Sequence, residues 1–153
     1  MSYRSVRLHS WIVVFLLFVI PPTAAAAPSS MLMTVESPYG IEKTIANIKQ
    51  SLVNNNFRLL REQNVDDGVT ESVDPNFRIL YFCNFALAYK AIQNEKRIGF
   101  MLPCRLTVTK VNNKVFIHYL NPAFAKQMVG GHLDDLCDQI SLAFSNIIEE
   151  VTM

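Results

Sequence analysis

Residues Tyr81–Leu106 read YFCNFALAYKAIQNEKRIGFMLPCRL. The stretch carries Cys83 near its start and Cys104 near its end, with a helix-like segment and an apolar return between them. Strand-like apolar runs flank both cysteines. If those two strands are antiparallel neighbours, the cysteines lie at the same end of the sheet. Their Cα atoms can then approach the ~5.5 Å that a disulfide requires. If the strands are parallel and joined by a crossover, strands of about seven residues rising ~3.3 Å each hold the cysteines roughly 20 Å apart. The topology of the sheet and the chemistry of the thiols are therefore one question.

Upstream, Asn76 to Cys83 reads as a strand. Phe77, Ile79 and Tyr81 alternate with Arg78, Leu80 and Phe82, so both faces are largely apolar and the strand is expected inside the sheet. From Phe85 to Glu95, an apolar stripe of Phe85, Leu87, Ala88, Ala91 and Ile92 predicts a helix, capped by Asn84 and ended before Gly99. Downstream, Cys104, Leu106 and Val108 alternate with Arg105, Thr107 and Thr109. Asn112–Asn113 marks a tight turn, and Val115–Leu120 is the returning strand. Asn121–Pro122 stops it, Phe124–Met128 reads as one helical turn, and Gly130–Gly131 as a hinge.

Towards the N-terminus, Met31–Glu36 reads as a first strand. Ile41, Ile45, Ile48 and Leu52 form one stripe of an amphipathic helix. Asn54, Asn55 and Asn56 end that helix, because asparagine tolerates the left-handed conformation. Phe57–Arg61 is a short strand, and Gln63–Pro75 a polar loop with a brief extended piece near Val69–Val73. At the other end, Leu133, Leu136, Cys137, Ile140, Phe144, Ile147 and Val151 predict a long final helix, with Asp134, Asp135 and Asp138 near its positive end. The order β-α-β-β-(α)-β-β-α predicts an α+β domain: a sheet of about five strands packed against two main helices.

Residues 1–26 have the order of a secretory signal peptide. Arg4 and Arg7 precede the apolar run Trp11–Ile20, then Pro21–Pro22 and small residues follow. A run that stops at ten residues is short of the about 20 needed to span a bilayer. Cleavage between Ala26 and Ala27 is expected, leaving residues 27–153 as a single domain without a membrane anchor in a periplasmic or secreted location. That part keeps twelve basic and thirteen acidic residues, a formal charge of −1. Its largest basic cluster is Lys96–Arg97, which argues against nucleic-acid binding. No N-x-S/T sequon occurs in the chain, which leans towards a bacterial periplasm.

Several short motifs resemble the family called domain of unknown function 302: Ile41-Glu42-Lys43-Thr44-Ile45 with Ile48 and Leu52, Asn84 after a hydrophobic strand, Leu102-Pro103, and Asn121-Pro122. The resemblance spans nearly all of residues 27–153 and rests on the order and spacing of these pieces. It implies a small α+β domain with one antiparallel sheet and helices on one side, and hence the antiparallel arrangement of the Cys83 and Cys104 strands. The chain departs from the family where Cys83-Asn84-Phe85 replaces a Gly-Asn-Pro pattern. The resemblance carries no catalytic residues.

Three readings of Cys83 and Cys104 stay open: a structural disulfide, two buried inert thiols, or a redox or sulfur-transfer pair. The last draws on Cys83 standing before a helix N-terminus, where a thiolate is stabilised, but no C-x-x-C motif accompanies it. Cys137 is expected in the core. Asn84, Asn121 and His118 are candidate ligand-binding residues. His118 and His132 with a cysteine lack the spacing of a known metal site, so neither metal nor cofactor is expected. Met31 and Met33 are soft ligands in principle but read more simply as one core-facing side of a strand. No nucleophilic triad, phosphate loop or H-E-x-x-H motif occurs. The expectation is a non-catalytic module that binds a small molecule or an envelope protein, or forms a homodimer. The alternative is a thiol-based protein using Cys83 and Cys104.

Overall fold

The computed structural model of the chain describes residues 30–64, 74–129 and 133–153. Residues 1–29, 65–73 and 130–132 lie outside the described residues, and with them the expected signal peptide, the extended piece near Val69–Val73 and the expected Gly130–Gly131 hinge.

The elements follow in the order β1 (Leu32–Ser37), α1 (Ile41–Asn54), β2 (Arg58–Asn64), β3 (Phe77–Cys83), α2 (Phe85–Asn94), a 3-10 helix (Lys96–Met101), β4 (Cys104–Val111), β5 (Lys114–Leu120), α3 (Ala123–Val129) and α4 (Asp134–Thr152). The strands form one five-stranded sheet in the order β1-β5-β4-β3-β2, and every neighbouring pair is antiparallel. This is the α+β arrangement expected from the order of elements, with the antiparallel pairing that the family resemblance implies. The β4–β5 hairpin turns on Asn112 and Asn113, at φ 50° and 63°. Positive φ at both central residues gives a turn whose twist matches that of the strands it joins. Asn56, at φ 61°, closes α1 in the left-handed region as its type allows.

Side-chain alternation gives the sheet two unlike faces. Leu80, Phe82, Leu106, Val108, Val115 and Ile117 point to the face covered by α1 and α4. There they pack against Ile45, Ile48 and Leu52 of α1 and Phe144, Ile147 and Val151 of α4. Phe57 lies edge-on to Phe82 and Phe144, with centroids 5.5 and 6.2 Å apart, the geometry that aromatic quadrupoles favour. The helix N-terminus of α1 is tied to β1 by a buried hydroxyl pair, Ser37 Oγ and Thr44 Oγ1, 2.7 Å apart. On the rim of this layer Arg78 lies between Glu42 and Glu62, at 3.7 and 3.9 Å.

Four sequence expectations change. The stripe on α2 splits: Ala91 is buried, but Phe85 and Ile92 are 57% and 42% exposed. At 100° per residue, Phe85, Tyr89 and Ile92 share one face, and only the Leu87–Ala91 side meets the start of α4. The segment after α2 does not stop before Gly99 but continues as a 3-10 helix through it, with the Glu95 side chain accepting from the Arg97 N–H. Strand β2 runs on to Asn64 because Gln63 and Asn64 pair with Ile79 and Arg78. Met31 is exposed, not core-facing, since it precedes the first paired residue of β1.

Candidate functional site

The end of the sheet where β3 stops and β4 begins is not filled. Here α2 and the 3-10 helix leave the plane of the sheet and meet the first turns of α4, building a second, smaller core of Ala91, Ile98, Leu133, Leu136 and Cys137. Between this core and the sheet lies a cavity of about 210 Å³. Leu87, Ala88 and Ala91 of α2 wall one side, and Leu136, Cys137, Ile140 and Phe144 of α4 the other. Leu102 and Pro103, joined by a cis peptide, enter it from the loop before β4. Because it wraps the end of the sheet, residues of both sheet faces reach it: Cys104 from the covered face, Tyr81, Cys83 and Arg105 from the other.

Cys83, Cys104 and Cys137 all line this one cavity, and none of the three is in a disulfide. The antiparallel arrangement does bring Cys83 and Cys104 to the same end of the sheet, yet no disulfide joins them. The register explains why. Cys104 pairs with Phe82, so Cys83 is one residue further along and its side chain leaves the opposite face. The two sulfurs therefore diverge from the geometry that a disulfide needs.

The position of Cys83 before a helix suggested a lowered thiol pKa; the structure gives the opposite direction. Burial raises the Cys83 thiol above its ordinary value. Burial, and then the neighbouring Cys83, push Cys104 up to about 12. Desolvation of the thiolate outweighs the helix dipole here. Both thiols are thus protonated at neutral pH. A thiol-specific disulfide reagent at pH 8 is expected to label neither within the time in which urea-unfolded protein reacts completely; rapid native-state labelling of Cys104 would contradict the burial. The linkage has a definite sign. A group whose folded pKa is raised stabilises the fold fully below its unfolded pKa, here 9.0, and loses that contribution as pH climbs towards about 12. Unfolding midpoints are therefore expected to fall between those two values.

Asn84 lines the cavity and also accepts a hydrogen bond from the Leu87 N–H at 3.1 Å, capping α2. A cap of this kind is worth about 1 kcal/mol, so its side-chain oxygen is already engaged. Asn121 does not line the cavity. It is buried, accepting from the Ala123 N–H at 3.0 Å and donating to the Ser30 carbonyl at 3.3 Å, which fixes the start of α3. His118 stands on the uncovered face, with Nδ1 2.9 Å from Thr34 Oγ1 and Nε2 2.9 Å from Thr109 Oγ1. Both its ring nitrogens are used in a cross-strand ladder. His132 lies outside the described residues. Among the described residues no group of three or more His, Cys, Asp or Glu side chains is gathered to hold a metal.

Sequence reasoning singled out Cys83, Asn84 and Cys104 of this cavity and missed its other half. Leu136, Cys137 and Ile140 were legible only as core positions of the last helix. Arg105 was legible only as an outward strand residue. Nothing in their local pattern distinguishes lining a cavity from filling a core.

The architecture and the cavity define a small α+β domain with an apolar pocket at one end of its sheet. The chain belongs to the family described as Domain of unknown function DUF302, whose model matches residues 33–151. It is also similar to a solved structure, the crystal structure of an uncharacterized conserved protein DUF302 from Bacillus stearothermophilus, at 22% identity and a TM-score of 0.71. That match covers 80% of this chain and 99% of the other, and is a likeness of fold. No curated protein matches the chain.

Proposed function

We propose that this protein is an exported, non-catalytic binding module whose ligand is a small, largely apolar molecule held in the cavity at the end of the sheet. The carrying observation is the cavity itself: about 210 Å³ of space walled mainly by Leu, Ile, Ala, Phe and protonated Cys side chains. An engineered apolar cavity of about 150 Å³ stays dry and takes up benzene, so an opening of this size and lining favours an apolar guest. Support for export is the order of charged, apolar and small residues in 1–26. Among the described residues the cavity lining includes no acid and no histidine, the groups that general acid–base chemistry most often uses. The raised thiols weigh against the redox alternative, which needs an available thiolate.

The test is titration of the purified, isotopically labelled protein with 1-octanol and with toluene, followed by amide NMR shifts. Saturable shifts are expected at Cys83, Leu87, Cys104 and Leu136. Ala91→Leu, which places three more carbons into the cavity from a buried position of α2, is expected to weaken both ligands at least about tenfold, the cost of roughly 1.4 kcal/mol of lost binding. Folded protein that shows no saturable shifts at these amides would overturn the reading.

A further inference from the structure

The cavity is apolar inside but not at its rim. Arg105 is the one charged residue among the described residues that line it, and it is exposed. Tyr81 lies directly opposite Arg105 in the β3–β4 register, so both side chains leave the same face as cross-strand neighbours, and both line the cavity. Among the described residues neither the Arg105 guanidinium nor the Tyr81 hydroxyl has an ion-pair or hydrogen-bond partner. This differs from Arg78, the other arginine of the strand pair, which is engaged by Glu42 and Glu62.

Resting on the binding reading above, we infer that the ligand is a monocarboxylate. Its apolar body of up to about eight carbons enters the cavity, scaled from the benzene-sized guest of a smaller engineered cavity. Its head group stays at the rim against Arg105 and Tyr81. Three observations set this class. The volume is too small for a long acyl chain and large enough for one ring or a medium chain. The guanidinium presents a planar fork of donors that matches a carboxylate. Arg105 is the single cation among the described lining residues, so a monoanion is matched where a phosphate dianion is left with excess charge at an apolar mouth. The exposed position of Arg105 also suits the guest, because the carboxylate keeps water on one side while its chain is desolvated.

Calorimetric titration at pH 7 with octanoate, 1-octanol, octylammonium and acetate tests this. Octanoate is expected to bind about tenfold tighter than 1-octanol, the gain from one charge-assisted pair at a solvated rim. Octylammonium is expected to bind more weakly than 1-octanol, and acetate not at all. Arg105→Gln is expected to erase the preference, so that octanoate binds no tighter than 1-octanol to the same variant. Equal affinities for octanoate and 1-octanol, or a preference that survives Arg105→Gln, would overturn the carboxylate assignment and leave the apolar cavity reading standing. Failure of every chain-bearing ligand to bind the folded protein would overturn both.

Discussion

Replacing Phe82 with alanine is expected to cost about 3–5 kcal/mol of unfolding free energy, the range for deleting a fully buried aromatic ring. Phe82 is 0% exposed near the end of β3, on the covered face of the sheet. Its ring contacts Phe57 and Phe144 at centroid distances of 5.5 and 5.6 Å, so the cavity left behind is walled by these rings and the other buried side chains of the shared core. Those walls belong to packed elements and collapse little, which places the cost towards the upper part of the range. With total stabilities of about 5–15 kcal/mol for a domain, the variant is left marginal. Urea unfolding measures it: at an m-value of about 2 kcal/mol/M, the midpoint should drop by about 2 M with the slope unchanged. A loss below about 1 kcal/mol would mean that the three rings do not form the common core described here.

The second large effect is expected from a polar pair. Thr44 is 0% and Ser37 5% exposed, and their hydroxyls are 2.7 Å apart. Thr44→Val keeps the shape and removes the oxygen, leaving the Ser37 hydroxyl with only the Tyr39 N–H, at 3.3 Å. The cost of stranding a buried hydroxyl is about 1–3 kcal/mol. Removing both oxygens in Ser37→Ala/Thr44→Val is expected to cost clearly less than the sum of the single changes, because neither hydroxyl is left without the other. Denaturant unfolding of the four proteins gives the coupling. Additive costs would show that the two hydroxyls act independently and that the pair does not pin α1 to β1.

This pair shows where reading along the chain stops. Ser37 was legible as the end of a strand before Pro38, and Thr44 as a polar residue beside the stripe of Ile45, Ile48 and Leu52. The structure buries Thr44 and Ser51 with that stripe, because a helix crossing a sheet covers a face wider than its apolar residues. Thr44 meets the partner that makes burial tolerable only when β1 and α1 fold back on one another.

The cysteines divide in the same way. The sequence placed Cys83 and Cys104 at adjacent strand ends, and the antiparallel sheet does bring them to one end. A single step of register then decided the chemistry. With Cys104 opposite Phe82, the two side chains leave different faces, and burial keeps both thiols protonated.

The sequence by itself determined the order of elements, the β4–β5 hairpin and most of the covered face, because periodicity and turn chemistry are local properties that survive in one dimension. The tertiary structure alone decided that the end of the sheet is left open, that three cysteines from β3, β4 and α4 share its lining, and that Arg105 stands at its rim. A cavity is the mismatch between surfaces contributed by distant segments. Its volume depends on how the start of α4 meets α2 across the strand ends, which no local pattern records.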